Sequence, residues 1–197
     1  MTTLKAEKRS MDVKAKRLRR EGYVTGNVFG KKIQGSIPVK MEKKDVDRLL
    51  KTETKGGQIM LDVEGEVYDV LIKEVDYDAM ANQVVEIDFQ ALVSNEKVHS
   101  VAEIVLVNHD KLAAGVLQQH LEEISFRALP SALVDKIMVD VGDMKVGDVI
   151  KVKDLAIAQD KDVDLKTDLE AAVVSVAAVH VDPAVEAEEE AAEEEAK

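Results

Sequence analysis

The stretch GQIMLDVEGEVYDVLIKEVDYD, residues 57–78, alternates apolar and polar side chains on both sides of the pair Glu64-Gly65. Alternation with a period of two is typical of strands that bury one face, and a Gly-containing pair between two such runs is typical of a hairpin turn. Val, Ile and Tyr, which favour pleated structure, supply much of both runs. The stretch therefore predicts a β-hairpin and a β-rich core around it.

Segments on both sides of this hairpin extend the predicted sheet. Residues 82–93, NQVVEIDFQALV, alternate as a further strand, and Thr3–Arg9 has the pattern of an edge strand. Residues 41–51, MEKKDVDRLLK, instead place their apolar side chains on one face of a helix. Residues 1–92 are therefore predicted to form a β-rich unit with one helix.

A basic segment precedes the hairpin in the chain. Residues 12–21 are so rich in Lys and Arg that we predict a loop or one exposed turn, because too few apolar side chains remain to anchor a core helix. Gly22, Gly26 and Gly30 follow at intervals of four, which is typical of turns or of close backbone approach. They do not form a phosphate-binding P-loop, since no Gly-Lys-Ser/Thr triplet follows.

The second half of the chain predicts a separate β-rich domain. Strands recur there about every ten residues, the last of them in AAVVSVAAVHV, residues 171–181, whereas Gly115–Leu121 has the pattern of a single helical turn. The final residues, PAVEAEEEAAEEEAK, have no apolar face and predict a disordered segment or a frayed helix. The predicted parts are a domain over residues 1–93, a second domain over 94–182 and an acidic tail over 183–197.

The composition indicates a folded protein and excludes cysteine chemistry. Hydrophobic residues make up 46% of the 197 residues, and there is no cysteine for a disulfide, a thiolate metal site or a nucleophile. The first residues lack the apolar core of a signal peptide. The longest nearly apolar run, residues 171–181, is far shorter than the roughly 20 residues that a membrane span needs. We expect a cytoplasmic protein without a membrane partner.

The net charge of −12 conceals an uneven distribution along the chain. Residues 1–55 hold 16 basic and 7 acidic side chains, whereas residues 56–182 hold 10 basic and 25 acidic ones. A basic segment on an acidic body favours a surface made for an anionic partner such as a nucleic acid. A lysine-rich surface that is merely solvated has the same composition, so charge alone leaves both interpretations open.

The sequence gives no positive sign of catalysis or metal binding. The four histidines lack metal-ligand spacing and no GxSxG motif occurs, so we expect surface histidines and no enzyme activity. The acidic run 160–170 has Asp at the 1, 3, 5 spacing of a calcium loop. However, Leu165 replaces the required Gly and Ala171 replaces the bidentate Glu, so a solvated acidic loop is predicted. We expect no cofactor, no metal and no small-molecule substrate.

An ordered series of motifs resembles a known family over residues 3 to about 182. In the first half these motifs are LKAEKR, KRLRREGYV, NVFGK, VLIKEVDYD and VVEIDF. In the second half the matching run is GVLQQHLEEISFRALPSALVDKIMVDVGDMKVGDVIKVKDL. The chain resembles the bacterial ribosomal 5S-rRNA-binding proteins, a family that includes the general stress protein CTC, in its two-domain form.

The resemblance implies a mainly β fold: a small closed N-terminal β-barrel with one or two helices, followed by an all-β domain. It implies docking of the first domain on 5S rRNA, beside other proteins of the large ribosomal subunit. Short members lack the second domain, so RNA docking does not require it. The alternative is a diverged, stress-associated relative that acts as a protein-interaction module.

The resemblance also implies which residues contact RNA. Basic positions suited to phosphate and a carboxylate that accepts hydrogen bonds match the family pattern, and a Phe at the aromatic position keeps a ring for stacking. They are Arg9, Lys14, Arg17, Arg19, Arg20, Phe29, Lys73 and Asp88. Three positions depart from it: Phe29 replaces Tyr, Asp76 replaces Gln and Glu86 replaces His. Carboxylates close to phosphates lower affinity, whereas each Lys or Arg that reaches a phosphate raises it.

Overall fold

Strands follow one another along the chain in the computed structural model, which describes residues 2–31, 33, 35–111, 115–160 and 162–178. The first half contains β1 (Thr3–Lys8), α1 (Ala15–Arg20), β2 (Tyr23–Phe29), β3 (Ser36–Glu42), α2 (Lys43–Leu49), β4 (Gln58–Val63), β5 (Glu66–Asp78) and β6 (Gln83–Ala91). The second half contains β7 (Val98–Val107), β8 (Val116–Gln119), β9 (Glu123–Ala128), β10 (Lys136–Asp140), β11 (Val149–Lys151), β12 (Val163–Leu165) and β13 (Ala172–Ala177). Short 3₁₀ turns span His109–Lys111, Pro130–Ala132, Val152–Asp154 and Ala156–Gln159. The predicted mainly β class is confirmed, while the predicted acidic tail lies outside the described residues.

The hairpin predicted around Glu64-Gly65 joins β4 and β5. Both turn residues have positive φ, 55° and 96°, as a two-residue type I′ hairpin turn requires. The first half of β5 pairs with β4 and its second half pairs with β6. This one long strand therefore links the hairpin to the rest of the sheet.

The strands of the first half close into a barrel with the order β1-β3-β2-β6-β5-β4. Closure is made by β1, which pairs in parallel with β4 and antiparallel with β3. The prediction of an edge strand at Thr3–Arg9 is therefore wrong. Leu4 and Ala6 face the core, and pairing on both sides leaves no free edge in this sheet. The closed barrel implied by the family resemblance is confirmed.

The basic segment before β2 forms a short helix. We predicted a loop or one exposed turn, but residues Ala15–Arg20 are helical and Leu18 is only 6% exposed. One apolar side chain is too weak a sequence signal for a helix, but packing of α1 on β2 stabilises this one. The second predicted helix is present as α2, with Val46 and Leu49 buried as its pattern indicated.

The second half of the chain builds its own core between two sheets. Their strand orders are β10-β7-β9-β12 and β11-β13-β8, and Phe126 and Ile124 are fully buried in this core. The helical turn predicted at Gly115–Leu121 is wrong, because Val116–Gln119 is the strand β8, paired with β13. The boundary at residues 93/94 stays a prediction, although the two main cores are formed by different residues.

The acidic run 160–170 is more structured than predicted. Val163 is buried in β12, which pairs with β9. Lys97 Nζ donates to Asp164 at 2.8 Å, and this contact lowers the pKa of that carboxyl. Within the described ranges no group of three side chains is arranged to hold a metal ion, and no described helix is long and apolar enough to cross a membrane.

Candidate nucleic-acid interface

Two neighbouring strands of the barrel form the centre of the candidate interface. β2 and β6 pair in parallel, and alternate residues of each strand point to opposite sides of the sheet. Val28 and Phe89 point inward and are fully buried. Their outward-facing neighbours form what we call the β2–β6 face: Asn27, Phe29, Glu86, Asp88 and Gln90.

Asp88 is held in place by the strand beside it. Its Oδ1 accepts hydrogen bonds from the backbone N–H of Asn27 at 3.2 Å and from the side-chain amide of Asn27 at 3.4 Å. Within the described part of the chain, its Oδ2 has no protein donor. The carboxylate is therefore oriented by the fold and keeps one oxygen available to accept a hydrogen bond from a ligand.

Phe29 ends β2 opposite Gln90 of β6. Its ring is half-buried, so one part packs on the barrel while the remainder reaches the surface. An anchored, partly exposed ring is suited to stacking on an unpaired base. Phe29 and Asp88 therefore lie on the same surface of the barrel.

Arg19 ties α1 to this face. Its Nε donates to the backbone carbonyl of Val85 at 3.2 Å, and its Nη2 lies 3.6 Å from Glu86 Oε2. The guanidinium is partly buried, with about a third of the side chain exposed. Arg19 therefore fixes the helix on β6 in addition to contributing positive charge.

Other cations of the helix segment extend into solvent. Lys14, Lys16 and Arg20 are exposed, and none of them forms an ion pair with another described residue. Arg17 lies 2.9 Å from Glu21 across one helical turn, with 74% of its side chain exposed. Such exposed pairs contribute little stability, so Arg17 exchanges its partner at low cost. We call Lys14, Lys16, Arg17 and Arg20 the α1 cations.

Arg9 shapes the loop that leads into α1. The Arg9 Nη2 donates to the carbonyl of Val13 at 3.1 Å, and the Arg9 backbone N–H donates to the carbonyl of Pro38 at 2.8 Å. Its Nε is buried and has no hydrogen-bond partner among the described residues. Arg9 is half-buried, so the same side chain supports the loop and retains an unused donor.

Asp76 and Glu86 face one another across the sheet. They are direct partners in the β5–β6 register, and opposed like charges repel. Arg19 lies beside Glu86, whereas Asp76 is exposed and has no ion-pair partner in the described ranges. At the two positions where the family resemblance implies Gln and His, this chain therefore has one negative charge on the β2–β6 face, at Glu86, and one next to that face, at Asp76.

Lys73 is placed differently from the other predicted residues. It lies at an irregularity in β5, and its Nζ donates to the backbone carbonyl of His99 at 2.9 Å. Partial burial, together with the nearby charge of Lys55, lowers the pKa of the Lys73 amine. Its charged end is therefore directed at β7 in the second half of the chain.

Two members of the face were not singled out from the sequence. Asn27 orients Asp88, and Gln90 lies opposite Phe29. The period of two along each strand would have placed them on the same side as Phe29 and Asp88. The parallel pairing of β2 with β6 has no comparable local signal in the sequence.

Comparisons with known proteins agree with this architecture. The model of the Ribosomal L25p family matches residues 4–89, and that of the ribosomal protein TL5 C-terminal domain matches residues 97–180. Among curated relatives, the large ribosomal subunit protein bL25 of Bacillus velezensis is 31% identical over 198 residues, covering 98% of this chain and 94% of the relative. The bL25 proteins of Listeria monocytogenes and Bacillus pumilus are 30% and 33% identical, covering 90% and 80% of this chain and 86% and 77% of their own lengths.

These matches decide the family. The two family models follow one another along the chain in the order that the resemblance implied. Members of this family are structural ribosomal proteins, which confirms the expectation that the chain is not an enzyme. The chain belongs to the bL25 family of large ribosomal subunit proteins.

Proposed function

We propose that this protein binds 5S rRNA through the α1 cations and the β2–β6 face, as a structural component of the large ribosomal subunit. Its location would then be cytoplasmic, on the ribosome and beside other large-subunit proteins. The proposal rests on family membership and on one arrangement in the structure. The helix α1, which carries exposed cations, packs on β2 and contacts β6 through Arg19. The outer face of these two strands carries an aromatic ring, an oriented carboxylate and two amides.

Each part of this arrangement suits a different feature of RNA. Lys14 and Arg20 extend into solvent and are suited to phosphates, where binding releases counterions. Phe29 is suited to stacking, while Asp88 accepts hydrogen bonds from base amino groups or 2′-hydroxyls. Phosphate contacts would position the RNA, and the β2–β6 face would discriminate between nucleotides.

Reversing two α1 cations is expected to abolish most of the affinity for 5S rRNA. Lys14→Glu with Arg20→Glu removes two contacts to phosphate and adds two repulsive charges, so we expect a loss on the order of 100-fold near 0.1 M salt. The negative slope of log K against log salt concentration should become smaller in magnitude by about 1.5, since each lost phosphate contact removes about 0.7–0.9. Fluorescence anisotropy with labelled 5S rRNA over a salt series measures both quantities.

A control variant separates the local effect from the net charge of the chain. Lys145→Glu with Lys166→Glu makes the same change in charge at exposed positions of the second half, and we expect less than a threefold change. We avoid Arg19 because its hydrogen bond to the Val85 carbonyl holds α1 on β6. Equal losses in both variants, or no retention of 5S rRNA by the wild type at low salt, would contradict the proposal.

The opposed carboxylates favour a second candidate function. Glu86 lies on the β2–β6 face, and Asp76 lies directly opposite it on β5. The alternative is therefore a diverged, stress-associated protein-interaction module with weak RNA binding. On this alternative, Asp76→Gln with Glu86→His should strengthen 5S rRNA binding by about 10-fold or more, because two anions beside the phosphates are removed. The same anisotropy titration decides between the two functions.

A control variant for this test loses two carboxylates from the second half of the chain. Glu122→Gln with Asp143→Asn removes two exposed carboxylates from the second half and should leave affinity within twofold. If the wild type already binds tightly and Asp76→Gln with Glu86→His does not change the affinity, the two carboxylates have no effect on RNA binding. The alternative function then fails. Sedimentation of the wild type with large ribosomal subunits provides an independent check of the ribosomal role.

A further inference from the structure

We propose that Lys73 fastens the barrel to the second half of the chain and does not contact RNA. In the family pattern this position belongs to the RNA surface, so the proposal assigns it a different task in this protein. The fastening role of Lys73 depends only on contacts within the chain. The absence of a contact between Lys73 and RNA rests on the proposed function.

A bulge in β5 turns Lys73 away from the regular strand pairing. Ile72 lies opposite Phe89 and Glu74 lies opposite Asp88, so Lys73 has no partner of its own in β6. An extra residue of this kind bends the strand and redirects its side chain. The neighbouring Glu74, and not Lys73, therefore occupies the row that contains Asp88.

The Lys73 amine is already engaged at the junction between the two halves. Its Nζ donates to the carbonyl of His99 at 2.9 Å, and the side chain is half-buried. The acceptor belongs to the backbone of β7, which is the first strand of the second half. The amine has two further N–H donors, but this contact holds its charged end at the junction and not on the β2–β6 face.

Further contacts between the two halves lie at the same junction and fix how the halves pack on each other. The Gly56 backbone packs so closely on β7 that an added Cβ would lie 1.9 Å from the carbonyl oxygen of Val101. Lys55 Nζ lies 3.3 Å from Glu123 Oε2, and Lys136 Nζ donates to the Thr52 carbonyl at 3.5 Å. An apolar cluster lies at the same junction and consists of Leu71, Leu92, Val98 and Leu133.

These contacts have a consequence for how the protein sits on a partner. Lysines donate across the junction in both directions, from Lys55 and Lys73 of the barrel and from Lys136 of the second half. The second half is therefore held in one orientation relative to the β2–β6 face. When that face is docked, the acidic second half points in a fixed direction from the docking site.

The test measures the junction and RNA binding separately. Because the chain has no cysteine, Asp47→Cys on α2 and Lys145→Cys in the second half allow two spin labels to be attached at defined, exposed positions. Pulsed electron spin resonance then gives the distribution of distances between the two halves. Lys73→Met is expected to broaden this distribution at least twofold, while Lys73→Arg, which keeps a donor, should retain a narrow one.

A matched lysine provides the control for both readouts. Lys44→Met removes one exposed charge from α2 and should leave the distance distribution narrow. Lys73→Met should lower 5S rRNA affinity no more than this control does. A narrow distribution in Lys73→Met would overturn the proposal. So would a loss of affinity ten times larger than that of Lys44→Met. If the wild type fails to bind 5S rRNA, the proposed function fails, but the distance measurement still decides the role of Lys73 at the junction.

Discussion

Replacing Gly26 by Ala is expected to destabilise the barrel by about 3 kcal/mol or more, at the upper end of the cost of overpacking. An ideal Cβ at this position would lie 2.0 Å from the carbonyl oxygen of Ile87 and 3.1 Å from its carbonyl carbon. Both atoms belong to the backbone of β6, so no change of side-chain rotamer relieves the clash. The strands β2 and β6 must move apart at the pair Gly26–Ile87.

The same displacement should weaken RNA binding. Asn27 follows Gly26 and holds the carboxylate of Asp88 across the β2–β6 pairing at 3.2 and 3.4 Å. Separating the strands lengthens these contacts beyond useful hydrogen-bond distance. We therefore expect Gly26→Ala to lower both the free energy of unfolding, measured by urea titration with circular dichroism, and the affinity for 5S rRNA.

Gly22 provides the control for the effect of adding a methyl group. It has a φ of +90°, but an added Cβ would meet no atom within 4 Å. Gly22→Ala should therefore cost only about 1–2 kcal/mol, which is the ordinary penalty for a side chain in the left-handed region. If Gly26→Ala costs no more than Gly22→Ala, the close approach of β2 and β6 does not limit stability.

Much of the barrel is predictable because the patterns that indicate its strands lie within short stretches of the sequence. The alternation around Glu64-Gly65 indicates both strands of the hairpin, the turn between them and the residues that face the core. α1 was missed because Leu18 is its single buried anchor, and its environment is supplied by β2. The closing role of β1 was missed for a related reason, since pairing with both β3 and β4 depends on where distant strands lie.

The candidate interface is only partly predictable for the same physical reason. The basic composition of residues 12–21 is visible in the sequence, but the contact of Arg19 with Val85 and Glu86 joins residues more than sixty positions apart. The opposition of Asp76 and Glu86 depends on the register of β5 with β6, which a bulge shifts. That bulge also redirects Lys73. A single extra residue in a long strand cannot be recognised from the alternation of apolar and polar side chains.

Replacing Phe126 by Ala is expected to unfold the second half of the chain selectively. Phe126 is fully buried in β9, which pairs with β7 on one side and with β12 on the other. Truncating such a ring costs about 3–5 kcal/mol through lost burial and the cavity that remains. That is a large share of the stability of a small domain.

Whether this damage spreads to the barrel tests the division at residues 93/94. The two halves have separate cores, and the apolar junction between them is limited to Leu71, Leu92, Val98 and Leu133. A cluster of this size stabilises far less than either core, so we expect each half to unfold as its own cooperative unit. Hydrogen exchange should then accelerate in β7, β9 and β12 of Phe126→Ala while protection in β2 and β6 is retained.

Phe89→Ala makes the same chemical change in the barrel core, where Phe89 is also fully buried. It should produce the opposite pattern, with faster exchange in β2 and β6 and loss of 5S rRNA binding, whereas Phe126→Ala should bind RNA within twofold of the wild type. Equal acceleration of exchange in both halves of Phe126→Ala would show one cooperative unit and would make the predicted boundary wrong. Selective unfolding would mean that the lysine contacts at the junction orient the second half without being required for the stability of the barrel that carries the RNA-binding surface.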